Sequence, residues 1–186
     1  MEFLGWIFLG VLVLAAFGVI GIYNRLVALR QNVKQGTADI DAQLRQRHDL
    51  IPNLVETVKG YAGHESSTLE AVIQARNVAA KGNPNSGAEQ GLKVALDNLL
   101  ALGEAYPDLK ASANFQELQR ELSSIEDKLA AARRALNAAV ARFNTAREAF
   151  PAVLFASMLG FQEADFNQLD DSEKGTVDQV PSIAFS

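Results

Sequence analysis

Apolar positions in this chain follow two patterns, a single unbroken run and a set of one-sided stripes. The run, FLGWIFLGVLVLAAFGVIGIY from Phe3 to Tyr23, contains no charged residue. At about 1.5 Å of rise per residue it spans roughly the 30 Å of a bilayer's hydrocarbon layer. No Lys or Arg precedes it, and it is long for a signal-peptide core. A buried core helix of that length would carry a polar face. The pattern therefore predicts a transmembrane helix.

Beyond Tyr23 the pattern becomes periodic. Leu26, Leu29, Val33, Gly36, Ile40, Leu44, Ile51, Leu54, Val58 and Tyr61 fall near one face of a helix. The first helix is thus expected to continue into a soluble domain. Pro52 interrupts the rhythm and predicts a kink near Leu50, unless Asp49 caps a fresh helix. Two shorter helices follow. One opens near Ser67, with Glu70 as its reciprocal cap, and closes by Gly82. The other runs from about Ala88 to Gly103, with Leu92, Ala95, Leu96, Leu99 and Leu102 as its buried stripe, and ends at Tyr106 and Pro107. GNPNSG between them reads as a loop.

The clearest stripe lies between Phe115 and Phe150: Phe115, Leu118, Leu122, Ile125, Leu129, Ala132, Leu136, Ala139, Phe143 and Ala146 alternate steps of three and four. Asn114 with Glu117 marks its start and Pro151 its end or a break. No segment alternates with period two, so strands are not expected. Helices apolar on one side must bury those sides against each other. The fold class is all-α: one N-terminal transmembrane helix continuing into an antiparallel helical bundle with long amphipathic helices. The expected division is an anchor over 1–23, a bundle over 24–165 and an acidic tail over 166–186.

The 186 residues leave about 160 beyond the anchor, enough for one domain with a real core. Charge adds an orientation. Arg25, Arg30 and Lys34 follow the run before the first acid, Asp39, so the positive-inside rule places the N-terminus outside and the bulk of the chain in the cytoplasm. Trp6 and Tyr23 fit the aromatic belts at the two interfaces, and Arg25, Arg30 and Lys34 would meet anionic headgroups, each contributing about 1 kcal/mol. A net charge of −5 argues against nucleic acid as a partner. The absence of cysteine decides no compartment.

Candidate chemistry is sparse. Gln43 and Arg47 lie on or beside the first soluble stripe, flanked by Asp41, His48, Asp49 and Asn53. A buried Arg47 needs a carboxylate, for which Glu121 and Glu126 are candidates, and Gln43, Asn53 and Asn137 would then form a register-fixing network. The other reading of Gln43, Arg47, His48, Asp49 and Asn53 is a polar cleft for a ligand or partner peptide. His48-Asp49 and His64-Glu65 lie about 24 Å apart along one continuous helix, too far to share an ion unless the chain turns between them, which Gly60 and Gly63 permit. With no Glu-x-x-His element, no metal ligand and no cofactor is assigned. There is no Gly-x-Ser-x-Gly, no phosphate-cradling glycine loop and no cysteine nucleophile, so no catalytic residue and no small-molecule substrate is assigned either. Glu117, Glu121, Asp127, Arg120 and Lys128 read as a solvated face.

Four segments carry a family resemblance: YNRLVALRQNV after the run, DIDAQLRQRHDLIPNLVETVKGYAGHE from Asp39, EAYPDLKASANFQELQRELSSIED from Glu104, and FNTAREAFPAVLFASMLGF from Phe143. Together they resemble the LemA family over nearly the whole chain. The resemblance implies a bacterial membrane protein with a tiny external N-terminus, one transmembrane helix and a cytoplasmic antiparallel bundle. It implies no established enzymatic activity.

Besides the lipid bilayer, two kinds of partner remain open. A membrane-tethered adaptor would present helix faces to another protein. A self-assembling scaffold would associate through its long heptad-like helices. Gly5, Gly10, Gly18 and Gly21 never fall at the four-residue spacing of close transmembrane packing, so self-association would come from the soluble part. The final QVPSIAF either docks back through Ile183 and Phe185 or stays disordered.

Overall fold

The computed structural model describes residues 2–82 and 87–167, and among them there is no strand. The helices are α1 (Glu2–Tyr61), α2 (Ser66–Ala79), α3 (Gly87–Ala105), α4 (Pro107–Ala111) and α5 (Ala113–Glu148), followed by a 3₁₀ turn at Ala152–Leu154. The all-α expectation holds. The GNPNSG loop lies mostly outside the described residues, and the C-terminal docking of Ile183 and Phe185 lies wholly outside them.

α1 runs unbroken through Pro52. Asp49 caps no fresh helix; it is exposed within a continuous one. The described residues fall into two compact units, one of residues up to Asp39 with Ala131–Phe166, the other including Ile40–Ala130.

In the second unit, one core joins five helices, α4 contributing Leu109. Leu50, Ile51, Leu54 and Val58 of α1 meet Leu69 and Val72 of α2, Leu92, Leu96 and Leu99 of α3, and Phe115, Leu122 and Ile125 of α5. Burying each such side chain stabilises by about 1.5–3 kcal/mol relative to exposure. Tyr61, expected on the stripe, is exposed, and Ala62 takes the inward place because α1 ends at Tyr61. Gly103 lets α3 approach α5 closely: a Cβ there would stand 2.9 Å from Cε1 of Phe115.

α4 was not expected. It is too short for periodicity, but Pro107 at its first position has a φ already set for helix and Leu109 is fully buried. Two expected caps do not form. α2 starts at Ser66 with Glu65 before it, and no side chain caps its amides. The Glu65 carboxylate instead accepts from the Tyr106 hydroxyl at 3.1 Å. α5 begins at Ala113, so Asn114 already lies inside its first turn, and Ser112 supplies the carbonyl that accepts from the Gln116 amide.

In the first unit, Leu26 of α1 is buried with Phe143 and Ala146 of α5 and with Ala152, Ala156 and Phe161 of the segment that follows. Gly36 sits against α5: a Cβ there would lie 3.1 Å from the Leu136 Cα. Past α5, Gly160 takes a φ of 77°, a conformation that favours glycine, and so turns Phe161 back into this core. The apolar window of α1 is 0% buried by the chain itself.

Candidate functional site

The second unit contains a cluster of buried charge. Arg47 on α1, Arg76 on α2 and Glu89 on α3 each fall in phase with the apolar stripe of their helix, and helical geometry therefore carries them inward with it. Arg47 is 3% exposed, Glu89 6% and His48 9%. One terminal nitrogen of Arg47 is paired with Oε2 of Glu89. The other donates to Oε1 of Glu126 on α5 at 2.7 Å. His48 Nε2 lies 3.1 Å from the remaining oxygen of Glu89. The formal charges of the two most buried members, Arg47 and Glu89, cancel, as burial at this depth requires.

Arg76 has a separate task. Proline has no amide proton, so Pro52 leaves the carbonyl of His48, four residues earlier, without its helical donor. Arg76 Nε fills that vacancy, donating to the His48 carbonyl at 2.7 Å. Proline on α1 and arginine on α2 thus form one device: the first exposes an acceptor, the second spends a charged donor on it.

The expected site residues separate here. Arg47 and His48 are buried together, and Glu126 rather than Glu121, which is exposed, supplies the carboxylate expected from α5. Asp49 and Asn53 face outward, so Asn53 does not join Gln43 in a seam network; its backbone carbonyl accepts from Thr57. Gln43 is half-buried, with Oε1 lacking a partner. Glu89 and Arg76 went unnoticed in the sequence. Their signal was the phase itself, 89-92-96-99 and 69-72-76-79, with a charged residue on each apolar stripe. Among the described residues no three His, Asp or Glu side chains gather into a metal-sized group.

The interface residues also differ from one another. Trp6, Arg25 and Lys34 are exposed. Tyr23 meets Phe161 edge-on at 5.4 Å, and the Arg30 guanidinium lies 4.9 Å from the centroid of the same ring. Arg30 is thus committed to the protein by a cation–π contact.

Two further features lie in the second unit. A shallow groove of about 400 Å³ between α2 and α3 is lined by Ser67, Thr68, Ala71, Ala95 and Asn98. Near it, the hydrogen bond to Glu65 raises the Tyr106 phenol above the ordinary tyrosine value, with desolvation and the Glu65 charge acting in the same direction. Since the folded value is raised, this bond stabilises fully below ordinary phenol ionisation near about pH 10 and is lost as pH rises through the higher folded value. In an alkaline absorbance titration, Tyr106 should ionise above free tyrosine, and Glu65→Gln should bring it back down. An unchanged titration in Glu65→Gln would discard this account.

Comparison with known proteins agrees with the sequence resemblance. A sequence profile of the LemA family matches residues 36–185. Protein LemA of Metamycoplasma hominis is 26% identical over 166 residues, covering 87% of this chain and 76% of its own. Magnetosome protein MamQ of Magnetospirillum gryphiswaldense is 24% identical over 173 residues, covering 77% of this chain. Magnetosome protein MamQ 2 of Paramagnetospirillum magneticum is 24% identical over 175 residues, covering 78%. The match spans 64% of the length of each of these two magnetosome proteins. With the profile running over most of the sequence and through every helix that builds the charge cluster, this chain belongs to the LemA family.

Proposed function

We propose that this protein is a non-catalytic, membrane-anchored interaction module. It crosses the bacterial cell membrane once through Phe3–Tyr23, N-terminus outside, and holds a helical bundle, residues 24–165, at the cytoplasmic face as an adaptor for another protein. An acidic segment, residues 166–186, follows in sequence. The observation that carries this reading is the contrast between two parts of α1. Its apolar window is exposed throughout, so it needs surroundings the chain does not supply. Farther along, Arg47 and His48 are buried and spent on internal partners, which supports a bundle that presents surfaces instead of a reaction centre. The groove between α2 and α3 is one such surface.

The second reading is a self-assembling scaffold. It is favoured by the length of α1 and α5, 60 and 36 residues, whose outer faces could pair between copies. The mass of the full-length protein in mild detergent separates the two. Monomers that cross-link to a distinct protein in the native membrane support the adaptor; defined multimers replace it with the scaffold. Proteolysis of sealed cells tests orientation, since external digestion of the bundle would reverse it.

A further inference from the structure

From Ala149 to Gln162 the chain carries no charge, with Glu148 just before and Glu163 just after. The residues of this segment sort cleanly by face. Ala152, Ala156 and Phe161 are buried against α1 and α5. Phe150, Val153, Leu154, Met158 and Leu159 turn outward, with Phe150 81% and Met158 86% exposed. Five large apolar side chains exposed within ten residues mark an interaction surface.

Its position says what covers it. The buried face of the segment seats on α1 where the apolar run ends, with Phe161 against Tyr23 and Arg30, and with Ile22 and Val27 lining the same core. Those are the residues of α1 at headgroup level if Phe3–Tyr23 crosses the bilayer. The segment is held there firmly: Asn144 donates to the Ala164 carbonyl at 2.8 Å and accepts from the Ala164 amide at 3.0 Å. Arg147 lies 3.3 Å from Glu148 and 3.4 Å from Glu163, so one cation faces both acids that bracket the uncharged stretch.

We propose that this outward face, Phe150 to Leu159, dips into the interfacial layer of the bilayer as a second membrane contact beside the anchor; the proposal rests on the transmembrane reading of Phe3–Tyr23. Lipid is the occupant because the inward contact of Phe161 with Tyr23 holds the segment beside the end of the apolar run of α1, which brings its outward face to the same level. An uncharged segment with aromatic and aliphatic side chains on one side suits the headgroup–acyl boundary. The contact would fix the end of α5, and not α1 alone, to the membrane surface.

The chain has one tryptophan and no cysteine, so two depth probes can be read in one full-length sample. Met158→Cys is labelled with the fluorophore NBD, Trp6 serves as the native probe, and the protein is reconstituted into vesicles of phosphatidylcholine and phosphatidylglycerol. Nitroxide is placed either shallow or deep on the lipids, and iodide is present on both sides. We expect the NBD emission to shift to the blue, to resist iodide, and to lose more intensity to the shallow nitroxide than to the deep one, while Trp6 also loses intensity to nitroxide lipid. The same label on Leu154→Cys should behave alike. NBD open to iodide while Trp6 still senses lipid overturns the second contact and leaves the anchor standing. NBD shielded from both iodide and lipid overturns it in favour of a protein cover, a second copy included. Silence of both probes to lipid removes the anchor and the proposal together.

Discussion

Replacing Arg47 with methionine is expected to lower the stability of the folded protein by about 3–5 kcal/mol, because the buried Glu89 would lose the partner that offsets its desolvation. The substitution retains volume, so the loss would come from electrostatics and not from a cavity. Glu126→Gln should cost under about 1 kcal/mol, since that carboxylate is more than a third exposed and water takes over its solvation. The decisive variant is the pair Arg47→Met with Glu89→Leu. With both charges gone, the core should recover most of what the single change lost, as buried ion pairs replaced by well-packed apolar residues commonly do. Denaturant unfolding of the full-length protein in mild detergent, followed by circular dichroism, reads all three. An Arg47→Met variant within about 1 kcal/mol of the parent would mean that water reaches Glu89 and that the cluster is not a sealed one.

The second large effect is expected at Arg76. Arg76→Met removes the donor that the His48 carbonyl uses in place of the missing amide of Pro52, and an unsatisfied buried acceptor costs about 1–3 kcal/mol. Pro52→Ala restores an amide four residues beyond His48 and lets the helix satisfy its own carbonyl. In that background Arg76→Met should therefore cost less, with a coupling of about 1 kcal/mol or more between the two positions. Additive effects across the double-mutant cycle would show that Arg76 and Pro52 do not act on the same acceptor.

Of the residues in these two predictions, only Arg47 is placed inward by the sequence reading, although Arg76 and Glu89 carry the same signal of phase. Arg47 falls in step with Ile40, Leu44, Ile51 and Leu54, Arg76 with Leu69 and Val72, and Glu89 with Leu92, Leu96 and Leu99. A charged residue on an apolar stripe must find a partner, so the need for pairing was legible. The identity of the pairs was not. Glu121 and Glu126 looked alike as partners for Arg47, and Glu89 competed with neither until α3 was placed beside α1. Likewise Pro52 announced a lost hydrogen bond, but not that an arginine on another helix would replace it.

Local end signals fared worse than periodicity. Glu70 and Asn114 matched capping patterns that did not form, since each such bond stabilises by only about 1 kcal/mol and tertiary contacts override it. Glu65, diverted to Tyr106, is one example. α4 escaped notice because five residues carry no period.

By itself, the sequence determined the all-α class, the apolar stretch that leads α1, the stripes of α3 and α5, and membership in the LemA family. These follow from side-chain hydropathy repeated at the helical period, a property of the chain alone. Only the tertiary structure decided which carboxylates meet Arg47, that Arg76 repairs the gap left by Pro52, and that Phe161 folds back onto Tyr23 and Arg30 while Met158 turns away. Those outcomes depend on distances between residues far apart in the chain. The one-dimensional pattern carries no information about such distances until the helices are packed.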